Sequence, residues 1–112
     1  MSNVKVIVSI SKAGNNEPLT TVRVFYGKEL LIEEIVKKDS PLFTMRIVDV
    51  ALALLKRKED LLSYFFHFNN FDELTSLPAR KQEMKEAGKE LLMVRQAIRE
   101  LKERYGAREV VK

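Results

Sequence analysis

The side chains best arranged to do chemistry in this sequence are cations. Lys81, Lys85, Arg95, Arg99 and Lys102 fall on one side of a helical stretch, with Lys89 close by. Like charges at i and i+4, such as Lys81 with Lys85 and Arg95 with Arg99, repel by about 0.2–0.5 kcal/mol, so sequences tend to break them up unless the field is useful. One use is contact with a phosphate backbone. The other reading is an ordinary solvated face, because Glu83, Glu86, Glu90, Glu100 and Glu103 are interspersed and weaken the field. Beside the cations runs an apolar stripe of Met84, Ala87, Leu91, Val94, Ile98, Leu101 and Tyr105, spaced alternately three and four residues apart. That spacing draws one seam along a helix. The seam either packs on the chain's own core or serves self-association or capture of a partner helix, through Met84, Leu91, Val94, Ile98 and Leu101.

Enzymatic groups are few. His67 is the only histidine, so no His–His metal pair exists, and between Phe66 and Phe68 it reads as structural. The chain has no cysteine, which removes thiolate nucleophiles, disulfides and cysteine-ligated metal sites. Glycine-rich phosphate loops, HExxH and nucleophile elbows are also missing. The stretch Lys12 to Pro18 has a single glycine and reads as turn chemistry. The acidic pairs Glu33-Glu34, Glu59-Asp60 and Asp72-Glu73 are adjacent in sequence and point to different sides of a strand or helix, so no paired general acid and base is expected. The expectation is a non-enzymatic chain without metal or cofactor.

The 112 residues suit one domain, taken as 1–112, with 46% hydrophobic and 32% charged residues, a globular composition. No apolar run approaches the roughly 18–20 residues of a membrane span, and the N-terminus lacks a secretory pattern. Residence in the cytoplasm is the resulting expectation. Abundant Lys, Glu and Arg without Cys also leans toward thermophile composition. The net charge is +4, and residues 78–112 hold ten basic against six acidic groups, so the excess lies in the last third.

The elements that must position these groups follow from periodicity. Val4, Val6, Val8 and Ile10 alternate with Lys5, Ile7 and Ser9, which predicts a strand with one buried face. Leu19 to Tyr26 is rich in β-branched and aromatic residues and predicts a second strand in a hairpin with the first. Glu29 to Val36 fits a third antiparallel strand or a short helix on pattern alone and is taken as the strand, since the Gly27-Lys28 turn favours a meander and two strands alone are only marginally stable. Ser40 and Pro41 predict a helix start, and Leu42 to Leu55, apolar nearly all round apart from Arg46, Asp49 and Lys56, predicts a helix sandwiched between the sheet and another helix. Leu61 to Phe68 admits two readings, a fourth strand or a continuation of that helix. Asn69-Asn70 breaks the pattern, and Asp72 to Leu77 can add a short helical turn. Pro78 opens a final helix that Gly106 ends, and Arg108 to Lys112 can add an edge strand. The fold class expected is α+β: a three-stranded antiparallel meander, a buried central helix, a possible fourth strand and a long C-terminal amphipathic helix.

With 61–68 read as a strand, the order resembles the ribonuclease H-like fold over nearly the whole chain. Phe25-Tyr26-Gly27-Lys28-Glu29-Leu30-Leu31, followed by Asp39-Ser40-Pro41 and a long apolar helix, looks like the second to third strand and first helix of that family. The family's chemistry uses carboxylates that hold two divalent metals. Here Ser9, Ser11, Arg46 and Asn69 stand where acids would be expected, so the resemblance does not imply nuclease activity. Double-stranded-RNA-binding domains share three strands and a helix, but their leading helix and basic helix start are missing. The function expected is a binding module, with nucleic acid as partner through the cationic stripe or a protein partner, including a second copy, through the seam.

Overall fold

A computed structural model describes residues 3–12, 14, 18–69 and 78–108. The fold is α+β. Strands β1 (Val4–Lys12), β2 (Pro18–Tyr26) and β3 (Glu29–Val36) form an antiparallel sheet in the order β1-β2-β3. Helices α1 (Ile47–Asn69) and α2 (Pro78–Tyr105) cover one of its faces.

The hairpin register runs without a shift from Val4 opposite Tyr26 to Lys12 opposite Pro18, so Val4, Val6, Val8 and Ile10 share a face with Val22 and Val24. Gly27 turns the chain into β3 at φ 60, a left-handed value that glycine adopts without the steric cost of a Cβ. Between β2 and β3 the register shifts at Val24/Phe25, where Leu31 becomes the extra residue of a bulge and is buried.

The helix expected from Pro41 is two pieces. Ser40 accepts the Leu42 N–H at 3.2 Å, as a cap should, but Pro41–Thr44 form only a short 3-10 turn. Met45 is then extended, with φ −82 and ψ 157, which packs Leu42 and Met45 against the core and restarts the helix at Ile47. The Arg46 carbonyl accepts the first N–H groups of α1, from Asp49 and Val50. Within α1, Val50, Ala51, Leu52, Leu54 and Leu55 are all buried, the sandwiched segment that the all-round apolar pattern predicts.

Residues 61–68 are helical, so α1 continues through them and the sheet has three strands among the described residues. Leu61 and Tyr64 face solvent while Leu62 packs on the core, which is helical and not alternating periodicity. The strand on which the ribonuclease H-like resemblance depended is therefore helix. The turn expected over 72–77 lies outside the described residues, as do residues 109–112 of the expected edge strand and the side chain of His67. α2 spans Pro78 to Tyr105, and Gly106 ends it at φ 65 with the Ala107 N–H donating to the Leu101 carbonyl at 3.0 Å.

Candidate functional site: an open strand edge beside an apolar trench

Four of the five α2 residues expected to meet a partner are spent on the core. Leu91, Val94, Ile98 and Leu101 are buried within the subunit, and Met84 is half-buried. Of the two readings of the seam, packing on the chain's own core is the one this burial fits. The aliphatic run of α1 and the sheet residues Val4, Val22, Val24 and Leu31 need a covering layer, and α2 supplies it. Ala97, off the heptad stripe, is buried too, because a helix packed on both a sheet and a helix buries a wider arc than a two-helix seam.

The cations Lys81, Lys85, Lys89, Arg95, Arg99 and Lys102 are all exposed. Carboxylates reach part of the stripe: Arg95 lies 3.4 Å from Glu59 of α1, and Arg99 lies 3.2 Å from Glu103. Among the described residues no ion pair engages Lys81, Lys85 or Lys89.

Sequence periodicity does not reveal a third surface, at the β1 edge. The sheet is wider than the two helices cover, and burial along the inward face of β1 falls from Val4, which is buried, to Val8 at 37% exposed and Ile10 at 74%. Facing these residues are Phe43 at 40% and Ile47 at 41%, with Tyr105 at 46% closing the other end. Two clefts of about 230 and 350 Å³ lie along this line and share Ile47. One runs under Val8, Ile10 and Phe43; the other lies between Val4, Val6 and Tyr105. Together they form an apolar trench alongside the strand.

The backbone of β1 adds the polar half of the site. The Gly27 N–H donates to the Asn3 carbonyl at 2.8 Å, which sets the odd-numbered residues of β1 facing β2. The N–H and C=O groups of the even-numbered residues consequently point away from the sheet. Glu100 of α2 occupies the first of them, accepting the Val4 N–H at 2.9 Å. Among the described residues nothing accepts from or donates to the outward groups of Val6, Val8 and Ile10.

A polar clasp fixes the trench wall. Arg46 donates to both oxygens of Asp49, at 2.8 and 3.0 Å, and to the Gly106 carbonyl at 3.0 Å, while the Arg108 N–H donates to Asp49 at 2.8 Å. These bonds tie the start of α1 to the end of α2. Asp49 also sits in the first turn of α1, where the helix dipole favours an anion. The hydrogen bond from Arg46, followed by that from the Arg108 N–H, holds its carboxyl below the usual carboxylate value. On Arg46 the same bond raises the guanidinium's pKa. Every oxygen here is engaged within the fold, so the cluster is structural.

Among the described residues no group of three His, Cys, Asp or Glu side chains comes together as a metal cage, and no helix is long and apolar enough to cross a membrane. No protein family, curated protein or solved structure matches the chain.

Proposed function

We propose that this chain is a non-catalytic protein-interaction module whose docking element is the open edge of β1. The observation that carries the reading is the pairing of strand-edge hydrogen-bonding groups at Val6, Val8 and Ile10, which no described residue engages, with an apolar trench beside them. Strand addition draws affinity from main-chain bonds and specificity from pockets that take alternate side chains. An extended protein segment laid against β1 meets both. β1 bears charge only at Lys5 and Lys12, with no acid, proline or bulge along its length. Natural sheets usually guard a free edge with charge, lysine above all, with proline or with bulges, and on β1 only the two lysines near its ends do so.

Selection of random nonapeptides displayed on phage, against wild-type protein and Val8→Lys, tests this. Enrichment of sequences with alternating apolar residues on wild type alone is the expected result. Equal enrichment on the two proteins, or none on either when the wild type is monomeric, removes β1 as the docking element.

A second reading, nucleic-acid contact, is favoured by the unengaged Lys81, Lys85 and Lys89, which span about 12 Å of α2 at 1.5 Å per residue. Three phosphate contacts give a log–log salt slope of about −2.7 for duplex DNA. A flat salt response, or binding unchanged by Lys85→Glu with Lys89→Glu, rejects it.

A further inference from the structure

We infer that the segment seated on β1 is β1 of a second copy of this chain, paired antiparallel about a two-fold axis at Val8 to give a continuous six-stranded sheet. The inference rests on the reading of β1 as a docking edge and adds the identity of the occupant.

Several features make the strand complementary to itself. Antiparallel pairing across a two-fold places each residue opposite its counterpart on the far side of the centre. In a nine-residue strand running from Val4 to Lys12 the centre that uses the full length is Val8. In that register Val8 faces Val8 of the second copy, and Val6 faces its Ile10. These are the residues whose N–H and C=O groups point outward, so the pairs exchange about six main-chain hydrogen bonds, two per pair. A register shifted by one residue has no such match, because it sets outward-pointing groups opposite inward-pointing ones.

Charge fits the same register. Lys5 and Lys12 lie near opposite ends of β1 and on opposite faces of the sheet. Lys5 comes opposite Ser11 of the second copy and Lys12 opposite its Val4, which leaves the two Lys5 side chains about 20 Å apart at 3.3 Å per residue. No cation faces a cation. An isologous contact of this kind closes on itself and leaves no free β1 edge to propagate a fibre.

The trench supplies the apolar part. Ile10, the most exposed large hydrophobic residue in the trench, comes over Val6 of the second copy, beside that copy's Ile47. The two Phe43 and two Ile47 side chains approach across the axis and cover the stretch of sheet that α1 and α2 leave bare.

Because the chain lacks cysteine, single-cysteine variants report the register directly. Opposed residues in a hydrogen-bonded antiparallel pair have Cα atoms about 5.5 Å apart, within disulfide range. Under mild oxidation Val8→Cys is expected to form a covalent dimer, while Ser9→Cys, which meets Ile7 of the second copy, and Ile35→Cys on β3 cross-link at least tenfold more slowly. Sedimentation equilibrium at about 100 µM should return twice the 13.0 kDa chain mass for wild type and the single mass for Val8→Lys, with circular dichroism confirming that the variant folds. A wild-type monomer, a dimer that survives Val8→Lys, or equal cross-linking at the three positions overturns the inference. A monomer that still selects peptides on β1 overturns the second copy as occupant and leaves the docking edge standing. Failure of both experiments removes the edge itself.

Discussion

The two edges of this sheet are built to opposite specifications. At β3 the outward backbone row is broken by the bulge at Leu31, and the freed Leu31 carbonyl accepts from the Lys58 ammonium of α1, which also pairs with Glu90 of α2. Glu33 is engaged by Arg23 at 2.6 Å, and Glu34 by Arg57 of α1 at 3.0 Å. Bulge, charge and an overlying helix all guard that edge. β1 is regular, uncharged from Val6 to Ser11, and flanked by a trench where β3 has α1. The two strands share main-chain hydrogen-bonding capacity; what separates them is the glutamates and bulge of β3 and the α1 side chains that reach over it.

That contrast can be broken at several points. The largest effect belongs to the covered side: Leu31→Ala should cost about 2–5 kcal/mol through the cavity it leaves, whereas Ile10→Ala at low protein concentration should cost less than about 0.5 kcal/mol. Urea unfolding measures both, and equal losses would mean that the β1 end is as firmly packed as the bulge. Next, Lys58→Met leaves the Leu31 carbonyl without its donor, a loss of about 1 kcal/mol. It also uncovers the β3 edge, so light scattering should register association absent from wild type carrying Val8→Lys. No new association would show that the bulge alone protects β3.

Smaller effects sharpen the comparison by leaving both edges alone. Gly88 sits inside α2, where an added Cβ would meet Phe66 at 3.6 Å, an ordinary contact. Gly88→Ala should therefore raise stability by about 0.5–1 kcal/mol, visible as a higher melting temperature with no change in association. A lower one would mean that Phe66 cannot accept the methyl.

The last effect is confined to acid. Asp49 has its folded pKa depressed below its ordinary 3.8 by Arg46 and then by the Arg108 N–H. Its contribution is thus fully present above that ordinary value and lost as pH falls through the lower folded one. Asp49→Asn should remove this component, lowering stability at neutral pH and flattening the decline below about pH 4. An unchanged acid limb would assign the decline to other carboxylates.

Much of the fold is legible in the sequence because the signals are local. Period-two alternation at 4–10, the glycines that take left-handed turns at 27 and 106, and the serine cap at 40 each act within a few residues of backbone. Residues 61–68 are less legible: aromatic content pointed to a strand, and the helical face that packs Leu62 on the core decided otherwise. The break at Met45 leaves no sequence signal, since it arises from where Leu42 and Met45 must pack and where Arg46 finds Asp49 and Gly106. Of the candidate sites, the α2 seam was legible as a line, while periodicity left open whether it met the chain's own core or a partner. The β1 edge was legible only in hindsight, as a strand with no charge in its middle.

By itself, the sequence determined the α+β class, the N-terminal meander, a long final helix and its start and stop, and the apolar faces of β1 and of that helix. The tertiary structure alone decided what lies against each apolar side. It enclosed Leu91, Val94, Ile98 and Leu101 and left Val8 and Ile10 bare. The reason is physical: periodicity records that a face avoids water, but a small core has only so much surface to cover, and two helices of fixed width cannot shield all of a three-stranded sheet.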